Sequence, residues 1–157
     1  PELRDLKKLR YRSVCLGSYI PWNVRAQSKL IMDELEWEGD EVEGMPTDLY
    51  PYEKIECAMQ GVRDYIKYQK RGYGRVTQMT AIDIRNNLIT KVEAEDYIDR
   101  YEGKKPHSLE IFLEYLNMTE DEFNETIKKT AVPPHKPNFK NVLSKRTHDF
   151  EKWYREK

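Results

Sequence analysis

Residues 52 to 77, YEKIECAMQGVRDYIKYQKRGYGRVT, carry the pattern that organises the whole chain. Ile55, Met59, Val62 and Ile66 recur at spacings of four, three and four, the period of an amphipathic helix with one buried stripe. A second stripe is polar: Glu56, Gln60, Asp64, Lys67 and Arg71 follow at four, four, three and four. The spacing predicts a helix from about Pro51 to Lys70, stopped by Gly72, a residue suited to the left-handed position after a helix. Gly72, Tyr73 and Gly74 let the backbone turn sharply and approach a ligand closely, while Lys70, Arg71 and Arg75 bring positive charge to the same turn. Such a loop suits an anion. The same spacing also describes a solvated helix face with intrahelical charge pairs and a glycine stop.

On the N-terminal side, RSVCLGSYI at 12 to 20 is apolar, contains β-compatible residues and stops at Pro21, so it is expected to form a strand. Trp22 beyond it either stacks on a flat ligand group or covers the core. Asn23 is expected to cap a helix reaching about Trp37, with Gly39 as its stop. GDEVEGMPTDLYP at 39 to 51, with two glycines, two prolines and several acids, is expected to be a connecting loop, mobile if it covers a site.

Beyond the glycines, Thr77 to Arg85 is expected to be a short helix bearing Asp83 and Arg85, whose plainest role is a surface ion network. Asn86 and Asn87 suit a left-handed stop. Thr90 with Glu93, and Thr119 with Glu122, are capping boxes that open helices over about 91 to 102 and up to about 130. Between them, Ser108 is expected to cap a helix carrying Leu109, Phe112, Leu113 and Leu116. Phe112, Tyr115 and Phe123 are assigned to the core. Short helices of this kind are stable only when packed on one another. From Ala131 the chain is rich in Pro and Lys and is expected to wrap the body as an extended tail, with DFEKWYREK forming a last helical turn. His135 and His148 are expected at the surface.

The 157 residues suit one domain or part of one, and 27 basic against 28 acidic residues argue against nucleic-acid binding driven by net charge. No apolar run approaches membrane-spanning length and the charged N-terminus lacks a signal core, so a soluble, cytoplasmic chain is expected. Its start at Pro1 fits an excised segment or a processed terminus. Cys15 and Cys57 lie far apart with no CxxC pair, so no metal site is expected and Cys15 is assigned to the interior.

KIECAMQGVRDYIKYQKRGYGRVTQMTAIDIR at 54 to 85 resembles the C-terminal part of bacterial and archaeal N-acetyl sugar amidotransferases of O-antigen and nonulosonic acid pathways. The likeness continues in LGSYIPWN at 16 to 23, Glu93-Ala94, YEGKKP at 101 to 106, FLEYLNMTEDEF at 112 to 123 and VPPHKP at 132 to 137. That family resembles the ATP pyrophosphatases of the PP-loop superfamily. Their serine-glycine-glycine loop is not found in these residues, and they are therefore expected to be the C-terminal portion of a longer enzyme.

The resemblance implies a mainly α fold: a short strand at the end of a Rossmann-like sheet, then a helical C-terminal domain. Residues 1-45 would close the nucleotide-binding unit, 46-131 form the helical domain and 132-157 the tail. It also implies ATP with Mg, an N-acetyl sugar substrate and a glutaminase partner supplying ammonia. Arg75, Lys70 and Arg85 would stabilise developing charge. Trp22, Asn23, Gln60, Asp64, Arg71, Gly72, Tyr73, Gly74 and Thr77 would bind sugar or nucleotide. The alternative is a helical module docking a partner subunit, or an RNA through Lys67, Lys70, Arg71 and Arg75. If Arg75 is catalytic, its removal lowers turnover and spares stability; if it pairs with Asp64 or Asp83 as a structural cation, the reverse holds.

Overall fold

The computed structural model describes residues 3–140, 142–145 and 149. The chain divides into two compact units, Pro1–Glu36 and Trp37–Lys157. The C-terminal turn expected of DFEKWYREK, and His148, lie outside the described residues.

The first unit holds α1 (Leu3–Lys8), a short 3₁₀ turn at Leu16–Ser18 and α2 (Val24–Leu35). The strand expected over residues 12 to 20 is absent. Its backbone groups close locally instead, Ser18 N donating to Cys15 O and both Tyr19 N and Ile20 N to Leu16 O, so nothing is left in register for a partner strand. Cys15, expected inside, is exposed. Asn23 caps α2 as its position suggests, accepting from Ala26 N at 3.1 Å, and Glu36 ends it in the left-handed region at φ 54°.

Among the described residues the second unit contains five helices: α3 (Gln60–Arg71), α4 (Arg75–Arg85), α5 (Lys91–Tyr101), α6 (Ser108–Leu116) and α7 (Glu120–Lys129). Among the described residues the β-type pairing is one isolated parallel bridge, Lys105 with Leu143. The class is thus mainly helical, as expected, without the sheet edge.

Two cores form. Val62 and Tyr65 of α3 pack with Leu109 and Leu113 of α6 and Phe123 and Ile127 of α7. Val42, Met45, Tyr50 and Val76 build the second, joined by Tyr97, Ile98 and Tyr101 of α5. The apolar stripe of the opening stretch is therefore shared out: Met59, Val62 and Ile66 face the first core and Ile55 the second. That division is possible because α3 starts at Gln60 and not near Pro51. Turns occupy the intervening residues, with Lys54 at φ 60° and Gln60 N donating to Cys57 O. Of the three aromatics assigned to the core, Phe123 is buried and Phe112 partly so, but Tyr115 projects from the outer face of α6 and is 74% exposed.

Residues 39–51 form no helix or strand, as expected of a connecting loop, but Val42, Met45, Pro46 and Tyr50 of it are buried and help to build the second core. Helix stops follow local chemistry: Gly72 at φ 78° and Asn87 at φ 55° take the left-handed conformation their residue types favour. Both capping boxes form, Thr90 with Glu93 and Thr119 with Glu122.

Donation from the Thr backbone, then from its hydroxyl, holds the Glu93 and Glu122 carboxyls below the usual value of 4.5. A depressed folded pKa contributes stability above the unfolded value and loses it as pH falls through the folded one. Helix content measured by circular dichroism is expected to fall as pH is lowered below about 4.5. Glu93→Gln with Glu122→Gln, which removes both titrating carboxyls, should flatten that part of the titration, and an unchanged acid profile would show that these carboxylates contribute nothing.

The tail is stitched to the second unit. Val132 N donates to Lys70 O, closing the end of α3. Gln69, fully buried, grips the tail backbone in both directions: Nε2 donates to Asn138 O at 3.1 Å and Oε1 accepts from Asn138 N at 3.0 Å. His135, expected at the surface, is half-buried against Gly72 and edge-on to Tyr68.

Candidate functional site

Arg75 is the first residue of α4 and not part of a free loop. Its side chain is 17% exposed and lies between two carboxylates: Nε donates to Asp64 at 3.0 and 3.2 Å, and Nη1 to Glu53 at 2.5 Å. Asp64 and Glu53 are each 16% exposed, so the three charges form one partly buried network. Charge-assisted, multidentate bonds of this sort fix both partners. Asp83 takes no part; it is buried and accepts from the Tyr50 hydroxyl at 2.9 Å. Of the two roles weighed for Arg75, the geometry favours the structural one.

The N-terminus of α4 carries the anion that the glycine loop suggested, supplied by the chain itself. Glu102, just past α5, accepts from Thr77 N at 2.8 Å and from Thr77 Oγ1 at 2.6 Å. A helix N-terminus favours such a carboxylate through its unpaired N–H groups and its dipole. Gly74 makes the approach possible, since a Cβ there would stand 2.8 Å from Glu102 Oε1. Glu102 thus occupies the N-terminus of α4 and Arg75 is committed to two carboxylates, and among the described residues no group of three acidic, His or Cys side chains is placed to hold a metal. Gly74→Ala is expected to lower the melting temperature, by displacing Glu102; thermal denaturation at unchanged turnover per folded molecule is the measurement.

The same device recurs at α6. Glu43, 3% exposed, accepts from His107 N, from Ser108 N at 3.2 Å and Ser108 Oγ at 2.7 Å, and from Ser144 Oγ at 2.8 Å. Ser108, expected as the cap, is instead the first residue of the helix and a donor to the carboxylate. Here Gly61 provides the room: a Cβ on it would lie 2.9 Å from Glu43 Oε2.

The remaining candidates are dispersed. Gln60 is buried at the start of α3 with an unpartnered Nε2, and Lys67 sits over the Tyr73 ring at 5.2 Å while donating to Gln78. Lys70 is half-buried and Arg71 exposed, in the last turn of α3. Arg85 closes the far end of α4, about 15 Å along the helix from Arg75, too far for both to serve one reacting atom. Trp22 and Asn23 belong to the first unit, Trp22 exposed and Asn23 engaged as a cap. Cys57 is exposed in the turn before α3. The structure thus joins Asp64 with Arg75, and Gly74 with Thr77, and leaves the others apart. Glu43, Glu53 and Glu102 were not foreseen; the signal for Glu102 was a carboxylate at a helix end followed by Gly103, and Glu43 gave none beyond its place between Val42 and Met45.

A cleft of about 630 Å³ is lined by Glu41, Gly44, Asp48, Arg100, Tyr101 and Lys104 among others. A second cavity of about 260 Å³ shares Lys104 and is bounded by Tyr68, Glu102 and Asn138. Among the described residues no helix is long and apolar enough to cross a membrane.

A family model described as LPS biosynthesis protein WbpG-like, C-terminal domain, matches residues 46–156. No curated protein and no solved structure matches the chain.

Proposed function

Since this chain belongs to the WbpG-like family of LPS biosynthesis proteins and carries their C-terminal domain, we propose that it is part of an ATP-dependent amidotransferase that converts an N-acetyl sugar's acetamido group to acetamidino. The observation that carries this reading is the family match over 46–156, which takes in the whole first core and part of the second, together with the ordered likeness of LGSYIPWN and KIECAMQGVRDYIKYQKRGYGRVT to the sugar amidotransferases. ATP, bound with Mg, would activate the acetamido oxygen as its adenylate, a bond from that oxygen to the α-phosphorus forming as pyrophosphate leaves. Ammonia, delivered by a glutaminase partner, would form a new C–N bond to the acetamido carbon as the C–O bond breaks and AMP leaves with that oxygen.

Since Glu102 occupies the N-terminus of α4 beside Gly74, the residues of this chain are assigned to shaping the sugar side and to holding α3 and α4 in fixed register, through Asp64, Arg75 and Glu53. A rigid wall of this kind limits water access and keeps the substrate oriented. The test is to supply the full-length protein with ATP, Mg, isotopically labelled ammonium and an N-acetylated nucleotide sugar, and to follow AMP and product mass. Sugar-dependent AMP release with label in the product is expected. AMP release indifferent to the sugar, or a product without label, would overturn the assignment.

A further inference from the structure

We propose that the 630 Å³ cleft between residues 41–48, the end of α5 and residues 144–145 is a binding site for a small phosphorylated ligand, with Lys104 and Arg100 holding the phosphate. The volume falls within the roughly 300 to 1,000 Å³ of small-molecule sites, and the cleft lies wholly within the second unit. Three cations line it, Arg100, Lys104 and Lys145, against two carboxylates, Glu41 and Asp48.

Both carboxylates are already engaged. Asp48 accepts from the Tyr97 hydroxyl at 2.7 Å, a bond that raises the Tyr97 pKa, and Glu41 lies 3.5 Å from Lys145 Nζ. The latter pair is solvent-exposed, 73% on the Lys side, and pairs of that type are weak enough for a ligand to open. Arg100 lies over the rings of Tyr97 and Tyr101, 4.7 and 5.6 Å from their centroids, so its guanidinium is held in place by stacking as well as by Asp96 at 2.8 Å. Lys104 has no ion-pair partner among the described residues and lines both this cleft and the adjoining 260 Å³ cavity.

Gly44 stands at φ 81° on the same cleft wall, and a Cβ built there would meet nothing within 4 Å, so the cleft reaches the backbone itself. A main chain bared in this way admits a ligand to its peptide groups. Tyr101 and Met45 give the organic body of the ligand an apolar wall, and Thr47 and Asp48 face its polar groups. The site is separate from the Gly72–Gly74 loop, and it stands or falls independently of the amidotransferase reading.

Titration calorimetry of the full-length protein with glucose 1-phosphate, inorganic phosphate and glucose tests the site. Saturable binding of glucose 1-phosphate, weaker binding of inorganic phosphate and none of glucose is expected. Lys104→Ala should weaken glucose 1-phosphate by roughly tenfold or more, the scale of one lost charge-assisted contact. Lys145→Ala, at an exposed position, should weaken it less and leaves the fold untouched should Lys104→Ala unfold. Absence of saturable binding by both phosphates, or identical affinity in wild type and both variants, would sink the proposal. Equal affinity for inorganic phosphate and the sugar phosphate would remove the organic half of the assignment.

Discussion

Glu43→Ala is expected to be the most destabilising single substitution in the second unit, costing about 4 kcal/mol and lowering Tm by roughly 10 °C or more. The change removes one acceptor group and strands four donors: the amides of His107 and Ser108 and the hydroxyls of Ser108 and Ser144. Because the site is almost fully buried, water does not replace the lost bonds. The N-terminus of α6 also loses its compensating charge. Set against a total stability of roughly 5 to 15 kcal/mol, that is a large share. Ser108→Ala, which deletes one donor and strands none of the others, should cost about 1 kcal/mol. Urea denaturation of the two variants gives the comparison, and a Glu43→Ala protein as stable as Ser108→Ala would refute the account of this carboxylate as the anchor of α6.

Arg75→Met ranks second, at about 2 to 4 kcal/mol, since it leaves Glu53 and Asp64 side by side in a partly buried setting without their cation. Asp64→Asn in the same chain should recover part of the loss by removing one of the two like charges, a coupling that a double-mutant cycle reads directly. Turnover per folded molecule should stay near normal. A variant with unchanged Tm and a fall in turnover of 10²-fold would reinstate Arg75 as a group acting on the reacting atoms.

What could be read from the sequence was the short-range part. Thr90 with Glu93, Thr119 with Glu122, Asn23, Gly72 and Asn87 all act within a few residues of themselves, and their outcomes follow from residue type and spacing alone. The period of the opening stretch correctly gave a helix with a buried side. It misplaced the start because Ile55 satisfies the same periodicity while belonging to a different core. The polar stripe misled for a related reason. Gln60 and Asp64 sit at positions that spacing assigns to solvent, yet other segments cover them, and the covering is invisible to any local window.

Everything else that was missed is long-range. Glu43 meets Ser108 and Ser144, Glu102 meets Thr77, Gln69 meets Asn138, and each pairing joins segments that carry no reciprocal signature. The expected strand failed for the opposite reason: β propensity was present, but among the described residues the segment closes its backbone bonds on itself and meets no partner strand. The anion preference of the glycine loop was inferred correctly in kind and answered from inside the molecule by Glu102.

The grip of Gln69 on Asn138 also sets an order of events during synthesis. Asn138 is made after α3, α4 and α5, and Ser144, a further donor to Glu43, later still. A nascent chain halted before these residues holds a carboxylate one donor short and a glutamine without the Asn138 backbone. Closing the intervening loop carries an entropic cost that local helix formation does not share. The second unit should therefore gain protease resistance in one late step, as its last residues clear the exit tunnel, and not helix by helix.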